Sequence, residues 1–386
     1  MITEIPKSEF QERVDRVQTE LARRGLDALL TFGNEAEPQN VRYFSDYWPA
    51  FESAGVLIPV EGDPILIIGP ESLTYAQSRS KIQKIRQVLQ YRESSEPEYP
   101  GKVLDTMASI FDEISGGKGV RRLATVGYPI TTIPVWEGLR EAMAGSDIVR
   151  ADDIVIGMRK VKSPNELELL REAFRISEKA IAAILAQIKP GMTELQVVGI
   201  AQEAIYHNGG EYEGHPLYVL SGRNSANAIG RPTHKRLVEG EIIQLNIGAR
   251  VGGYSSSVGR PILLGSMPDD VRGLLQVGLD AANMTMEIMH AGVEAGSVAR
   301  KIQEFIVGRG YGDTILYGPC HGLGLMECEH PWIETNSDYV LQENYTFQVD
   351  SFLYRPEYGA RWEDGVRVTQ EGVEQFSTYR RELIVV

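Results

Sequence analysis

Apolar residues recur at helical spacing over residues 8–25, where Val14, Val17 and Leu21 share one face and Gly25 closes the run. The apolar stretch from Leu26 to Phe32 then predicts a buried strand. Val56 to Val60 and Pro64 to Ile68 flank a Glu-Gly-Asp turn, which is the pattern of a hairpin. Helical and strand patterns alternate to about Asp152, so the first part of the chain reads as a small α/β domain.

A new pattern begins near residues 152–163. Ser163-Pro164-Asn165-Glu166 is a capping box with proline in the first helical position. The helix it opens carries Leu167, Leu170, Phe174, Ile181, Ile184, Leu185 and Ile188, and it stops at Lys189-Pro190-Gly191. Thr193-Glu194-Leu195-Gln196 opens a second helix with the same signature. The expected domains are therefore residues 1–152 and 153–386, both α/β.

The second part repeats itself. Gly191 to Gly209 reads against Gly292 to Gly310, with Gln202-Glu203 matching Gln303-Glu304. The stretch Leu237 to Asn246 reads against Leu341 to Asp350. An offset of this size is far beyond the ~20–50-residue periods of solenoids and propellers, so it predicts two related halves of one pseudo-symmetric domain. Asn246 and Asp350 then hold the same place in their halves, each polar in an apolar strand pattern. A buried polar group costs roughly 2 kcal/mol or more without a partner. Two such residues at matching positions predict a shared polar cavity, against the plainer reading of two separately bonded core residues.

The composition narrows the function classes. With 39 basic and 53 acidic residues the net charge is −14, so no basic stripe is available to displace counterions from nucleic acid. The two cysteines, Cys320 and Cys328, do not make a disulfide framework. The first residues are polar, with no apolar leader segment, and no run approaches the ~18 apolar residues of a membrane span. A cytoplasmic protein acting on a small molecule, with no nucleic-acid or membrane partner, is the resulting expectation.

The order and spacing of several motifs resemble the pita-bread superfamily of methionine aminopeptidases, prolidases and creatinases. Gly240 to Arg260 is similar to a prolidase strand pair, and His321-Gly-Leu-Gly-Leu-Met-Glu-Cys-Glu-His-Pro331 to the histidine segment that follows it. Asp350 and Glu363 match the last two carboxylates, and Arg24 to Thr31 resembles the smaller N-terminal domain. The resemblance implies a small creatinase/prolidase-like domain followed by a pseudo-symmetric pita-bread domain, assembled as a homodimer. It also implies five ligands for two metal ions, at Asn246, Ser257, His321, Asp350 and Glu363. Two of these five are uncharged here, and hard divalent ions need anionic oxygen.

The expected activity is therefore a metal-independent hydrolysis of a C–N bond in a small, polar, amino-acid-like substrate. His321 is the expected proton shuttle, and Asp350 and Glu363 the orienting or basic carboxylates. No cofactor is expected; if one divalent ion is retained, His321, Asp350 and Glu363 would hold it. Asn246, Ser257, Cys328, Glu329, Arg361 and His215 are the expected substrate-facing residues. Arg361 could bind a carboxylate bidentately, and His215 could stand in for a catalytic histidine that the resemblance would place at Ile229. Creatinase itself is a poor match, because Gly259 and Glu363 also depart from its pattern. The competing readings are an Xaa-Pro dipeptidase or aminopeptidase with a residual single metal, and a binding protein without catalysis. Tyr47-Trp48-Pro49-Ala50-Phe51 reads as an exposed aromatic loop.

Overall fold

The computed structural model describes residues 4–266 and 268–386. It divides into two compact units, Ile5–Met158 and Arg159–Val386, where the sequence pattern placed the change at 152/153. The difference is the helix Asp152–Arg159, nearly all of which belongs with the first unit.

The first unit opens with the helix Lys7–Arg24, which buries Val14, Val17 and Leu21. Gly25 ends it at φ 62°, a left-handed value that glycine adopts without a Cβ penalty. The strands are β1 (Ala28–Gly33), β2 (Ala54–Pro59), β3 (Ile65–Ile68), β4 (Ile85–Gln87), β5 (Arg122–Val126) and β6 (Asp147–Arg150). They form one sheet in the order β4-β3-β2-β1-β5-β6, in which β2 and β3 are the expected hairpin. In the aromatic loop Tyr47 is buried, and Phe51 is the one aromatic ring that is exposed, at 84%.

In the second unit the capping signals act as the sequence predicts. Ser163 Oγ accepts from Glu166 N at 3.1 Å and starts the helix Pro164–Gln187. Thr193 Oγ1 accepts from Gln196 N at 3.1 Å and starts the helix Glu194–His207. The internal repeat is real in three dimensions. Glu194–His207 and Ala295–Gly308 are both 14 residues long. Gly191 N donates to Leu237 O at 2.9 Å, and Gly292 N donates to Leu341 O at 2.9 Å. Thr193 bridges Arg236 just as Glu294 bridges Val340.

The strands of this unit are β7 (Tyr212–Glu213), β8 (Tyr218–Ser221), β9 (Ile242–Ile247), β10 (Ala249–Val251), β11 (Tyr254–Ser255), β12 (Val258–Leu263), β13 (Cys320–Gly322), β14 (Glu329–Ile333), β15 (Thr346–Tyr354), β16 (Gly359–Val368), β17 (Val373–Gln375) and β18 (Ile384–Val385). The large sheet runs β14-β13-β15-β16-β12-β9-β8, with β17 on β16 and β18 on β12. Strand alternation separates its two faces. Phe347, Val349, Trp362 and Val366 pack with Leu279, Ala282, Val298 and Ala299 from the helices. Burying such side chains contributes about 1.5–3 kcal/mol each. Gln348, Asp350, Arg361 and Glu363 alternate with them and so take the other face.

Candidate functional site

A single transverse row of the sheet builds the site. Tyr218 pairs with Asn246, Asn246 with Gly259, Gly259 with Glu363, and Glu363 with Asp350. Directly opposed residues share a face, so the register alone brings Asn246, Glu363 and Asp350 together. Gly259 leaves the gap through which the outer members meet. A Cβ there would lie 2.6 Å from Glu363 Cβ and 3.0 Å from Asn246 Nδ2. Asn246 Nδ2 donates to Glu363 Oε2 across that gap. Asn246 and Ser257 are fully buried, and Glu363, His321 and Asp350 nearly so.

His321 enters from β13, and Glu327 from the segment between β13 and β14. His321 Nε2 lies 3.5 Å from Glu327 Oε1 and 3.9 Å from Glu363 Oε1. His321 Nδ1 lies 3.1 Å from the Gly322 carbonyl, which can only accept, so Nδ1 carries the proton. The Nε2 of the neutral ring is then a bare lone pair facing two carboxyl groups. Lone pairs alone repel; a proton or a cation has to lie among them. Burial, then Glu327 and Asp350, push the Glu363 carboxyl well above its usual range. Burial also raises Glu327, so the pair favours sharing a proton or taking up a cation over carrying two bare charges.

Among the described residues, the donor atoms of His321, Glu327 and Glu363 all lie within 4.8 Å of one another. Asn246 Oδ1 and Gln348 Oε1 are buried beside them without a hydrogen-bond partner. One imidazole, two carboxylates and an orphaned neutral oxygen form a donor set that fits a single divalent ion. The sequence put Asp350, and not Glu327, in such a set. Asp350 is instead engaged by its own neighbours: Arg361 Nε lies 3.2 Å from Oδ1, and Tyr317 donates its hydroxyl to Oδ2 at 2.7 Å. The charge of Asp350 is thus paired with Arg361, whereas Glu327 turns toward His321.

The remaining expected residues are placed as follows. Ser257 Oγ lies 2.9 Å from Glu363 Oε2 and 3.0 Å from His215 Nε2, so His215 and Ser257 do join the row. Arg361 is buried; its guanidinium donates to Tyr317 Oη and the Ala228 carbonyl, both at 2.8 Å. Ile229 is 88% exposed. Cys328 is an exposed residue whose thiol is pushed up by desolvation and by Glu327, which disfavours the thiolate.

Glu329, expected to face substrate, has partners of its own. Lys162 Nζ contacts one of its oxygens at 3.2 Å, and Arg159 takes the other. Burial works against its charge, but these two cations hold the carboxyl below its usual value. With both oxygens paired inside the unit, Glu329 braces the start of β14.

Glu327 is the residue that sequence reasoning missed. The available signal was an extra carboxylate six residues after His321, in a chain where two of the five implied ligand positions are uncharged.

Comparison with known proteins bears on the family and the fold. Residues 168–370 match the model of "Metallopeptidase family M24", and residues 13–161 match "Creatinase/Prolidase N-terminal domain". An Xaa-Pro dipeptidase of Pyrococcus furiosus is 26% identical over 376 residues, covering 97% of this chain and all of that protein. An uncharacterised peptidase, YqhT of Bacillus subtilis, is 24% identical over 375 residues, again 97% of this chain and 100% of its own. The crystal structure of an X-Pro aminopeptidase from Thermotoga maritima superposes with a TM-score of 0.84 at 25% identity, covering 97% of this chain and 99% of the other.

Proposed function

The chain belongs to metallopeptidase family M24, and we propose that it hydrolyses Xaa-Pro dipeptides with one divalent ion held by His321, Glu327 and Glu363. At the coarser level it is a hydrolase of C–N bonds. Its full-length similarity to an Xaa-Pro dipeptidase supports the substrate class. The observation that carries the single-ion reading is the convergence of Glu327 on His321 and Glu363, in a cluster where Asn246 and Ser257 bring no charge.

The sequence alone favoured a metal-free reaction. The arrangement of charge supports the other reading better. Arg361 pairs with Asp350 and only partly offsets Glu327 and Glu363, which burial still raises. Two buried like charges this close are costly, and an ion of charge +2 offsets both. Such an ion, when bound, polarises a peptide carbonyl and makes water a stronger nucleophile.

The chain's own residues do the rest. Asn246 orients Glu363 through the bond to Oε2. The Trp332 ring packs on His321 with centroids 5.2 Å apart and fixes the imidazole plane. Arg361 stands at the edge of the row, held between Tyr218 and Phe352 with its centre 5.6 and 5.1 Å from their rings. Its positive charge suits the C-terminal carboxylate of a dipeptide.

The test is release of proline from Ala-Pro and Met-Pro by protein first stripped with chelator. Turnover that returns only with Mn²⁺, Co²⁺ or Zn²⁺ supports the reading. Turnover unchanged in chelator returns the site to metal-free chemistry, and no release with the ion bound refutes the substrate class.

A further inference from the structure

The Ser257 hydroxyl has one proton and two acceptors in reach. Glu363 Oε2 lies 2.9 Å away on one side, and His215 Nε2 lies 3.0 Å away on the other. The far nitrogen of that imidazole, Nδ1, lies 2.8 Å from the Pro216 carbonyl. A carbonyl oxygen only accepts, so Nδ1 carries a proton and the neutral ring offers Nε2 to Ser257 as a lone pair. The ring is also seated edge-on against Tyr218, with centroids 5.4 Å apart, and this limits its rotation. Ser257 is fully buried, whereas His215 keeps partial access to solvent. Two contacts in series thus link a partly open imidazole to the deepest carboxyl of the site, and the single hydroxyl proton of Ser257 can lie in either of them.

We propose that Ser257 and His215 form a proton relay, in which Ser257 is the conduit and His215 the store. The inference rests on the reading of the chain as a hydrolase of peptide C–N bonds. As water attacks the carbonyl carbon, a C–O bond forms and the water proton passes to Ser257 Oγ. The Ser257 proton passes in the same movement to His215 Nε2, giving an imidazolium. As the C–N bond breaks, the imidazolium returns that proton through Ser257 to the leaving amine nitrogen. One water is consumed, and a carboxylic acid and an amine are formed. Ser257 and His215 are catalytic residues in this account, because they take and return the proton, and the serine is not acylated.

Turnover and the state of the imidazole test it together. Ser257→Ala and His215→Ala are expected to lower kcat by about 100-fold or more, the scale of general acid–base catalysis. KM and the ion bound per chain should stay within about threefold. Ser257→Thr should recover turnover, and added imidazole should rescue His215→Ala. Acyl adducts on Ser257 in quenched reactions, or an alanine variant at 257 that keeps its kcat, would overturn the relay. Nitrogen NMR of ¹⁵N-histidine-labelled protein reads the geometry without any substrate. A neutral ring protonated at Nδ1, whose Nε2 resonance moves in Ser257→Ala, is expected; a proton on Nε2 of the neutral ring, or no movement, overturns it. If the native chain releases no proline from any dipeptide, the peptidase reading fails, while the nitrogen spectrum still decides the Ser257–His215 hydrogen bond on which the relay stands.

Discussion

Asn246 donates to Glu363 from two strands away, through the space that Gly259 leaves open in the strand between them. That contact depends on glycine. A methyl group at 259 would collide with the Cβ of Glu363 at 2.6 Å. Gly259→Ala should therefore cost about 1–3 kcal/mol, the usual range for overpacking a tight site, and weaken ion binding with it. Chemical denaturation of the metal-free protein measures the first effect and calorimetric titration the second.

Glu329 separates a structural role from a substrate role. Glu329→Gln leaves Arg159 and Lys162 facing a neutral group inside the unit. Breaking a buried pair of this kind costs about 3–5 kcal/mol. The midpoint of urea unfolding should fall accordingly, with KM unchanged at a temperature where the variant stays folded. A raised KM in a variant of native stability would restore Glu329 to the substrate face.

Helix caps give a prediction independent of function. Ser163→Ala and Thr193→Ala each remove an oxygen that accepts a backbone N–H at 3.1 Å. Each should cost about 1 kcal/mol, and the two should add, because they start different helices. Thermal unfolding of the single and double variants checks this.

The acid pair makes stability depend on pH in a particular direction. Burial raises both Glu327 and Glu363 from 4.5 in the folded chain; the charge of Glu327 raises Glu363 further, while the hydrogen bond with Glu363 holds Glu327 back. Asp350 adds to that rise and Arg361 opposes it. The folded state then keeps protons that the unfolded state releases, so stability falls as pH rises from about 4.5 upward through the raised values. Glu363→Gln should flatten that slope, and a saturating divalent ion should remove it for the native chain. Unfolding free energies between pH 4 and 8, with and without the ion, test the sign.

Much of the fold could be read from the chain because its signals are local. The caps at Ser163 and Thr193 and the stop at Gly25 each depend on a few adjacent residues. The repeat revealed the equivalence of Asn246 and Asp350, since matched halves place matched positions on one sheet. What the sequence could not reveal is how charge is shared across it. Asp350 looked like a free ligand until Arg361 and Tyr317 were seen against it. Glu329 looked like a site residue, yet its partner Arg159 stands 170 positions away. Glu327 lies between strands, where no periodicity says which way a side chain turns.

Equilibrium dialysis against Mn²⁺ or Zn²⁺, with metal counted per chain, bears most directly on the single-ion centre. The native chain should hold one ion in this cluster. Glu327→Gln should lose affinity by more than the ~10–100-fold typical of an outer-shell partner, because it removes a ligand. Asn246→Asp with Ser257→Asp should raise the count to two. Two ions in the native chain, or one ion bound as tightly after Glu327→Gln, would contradict the account.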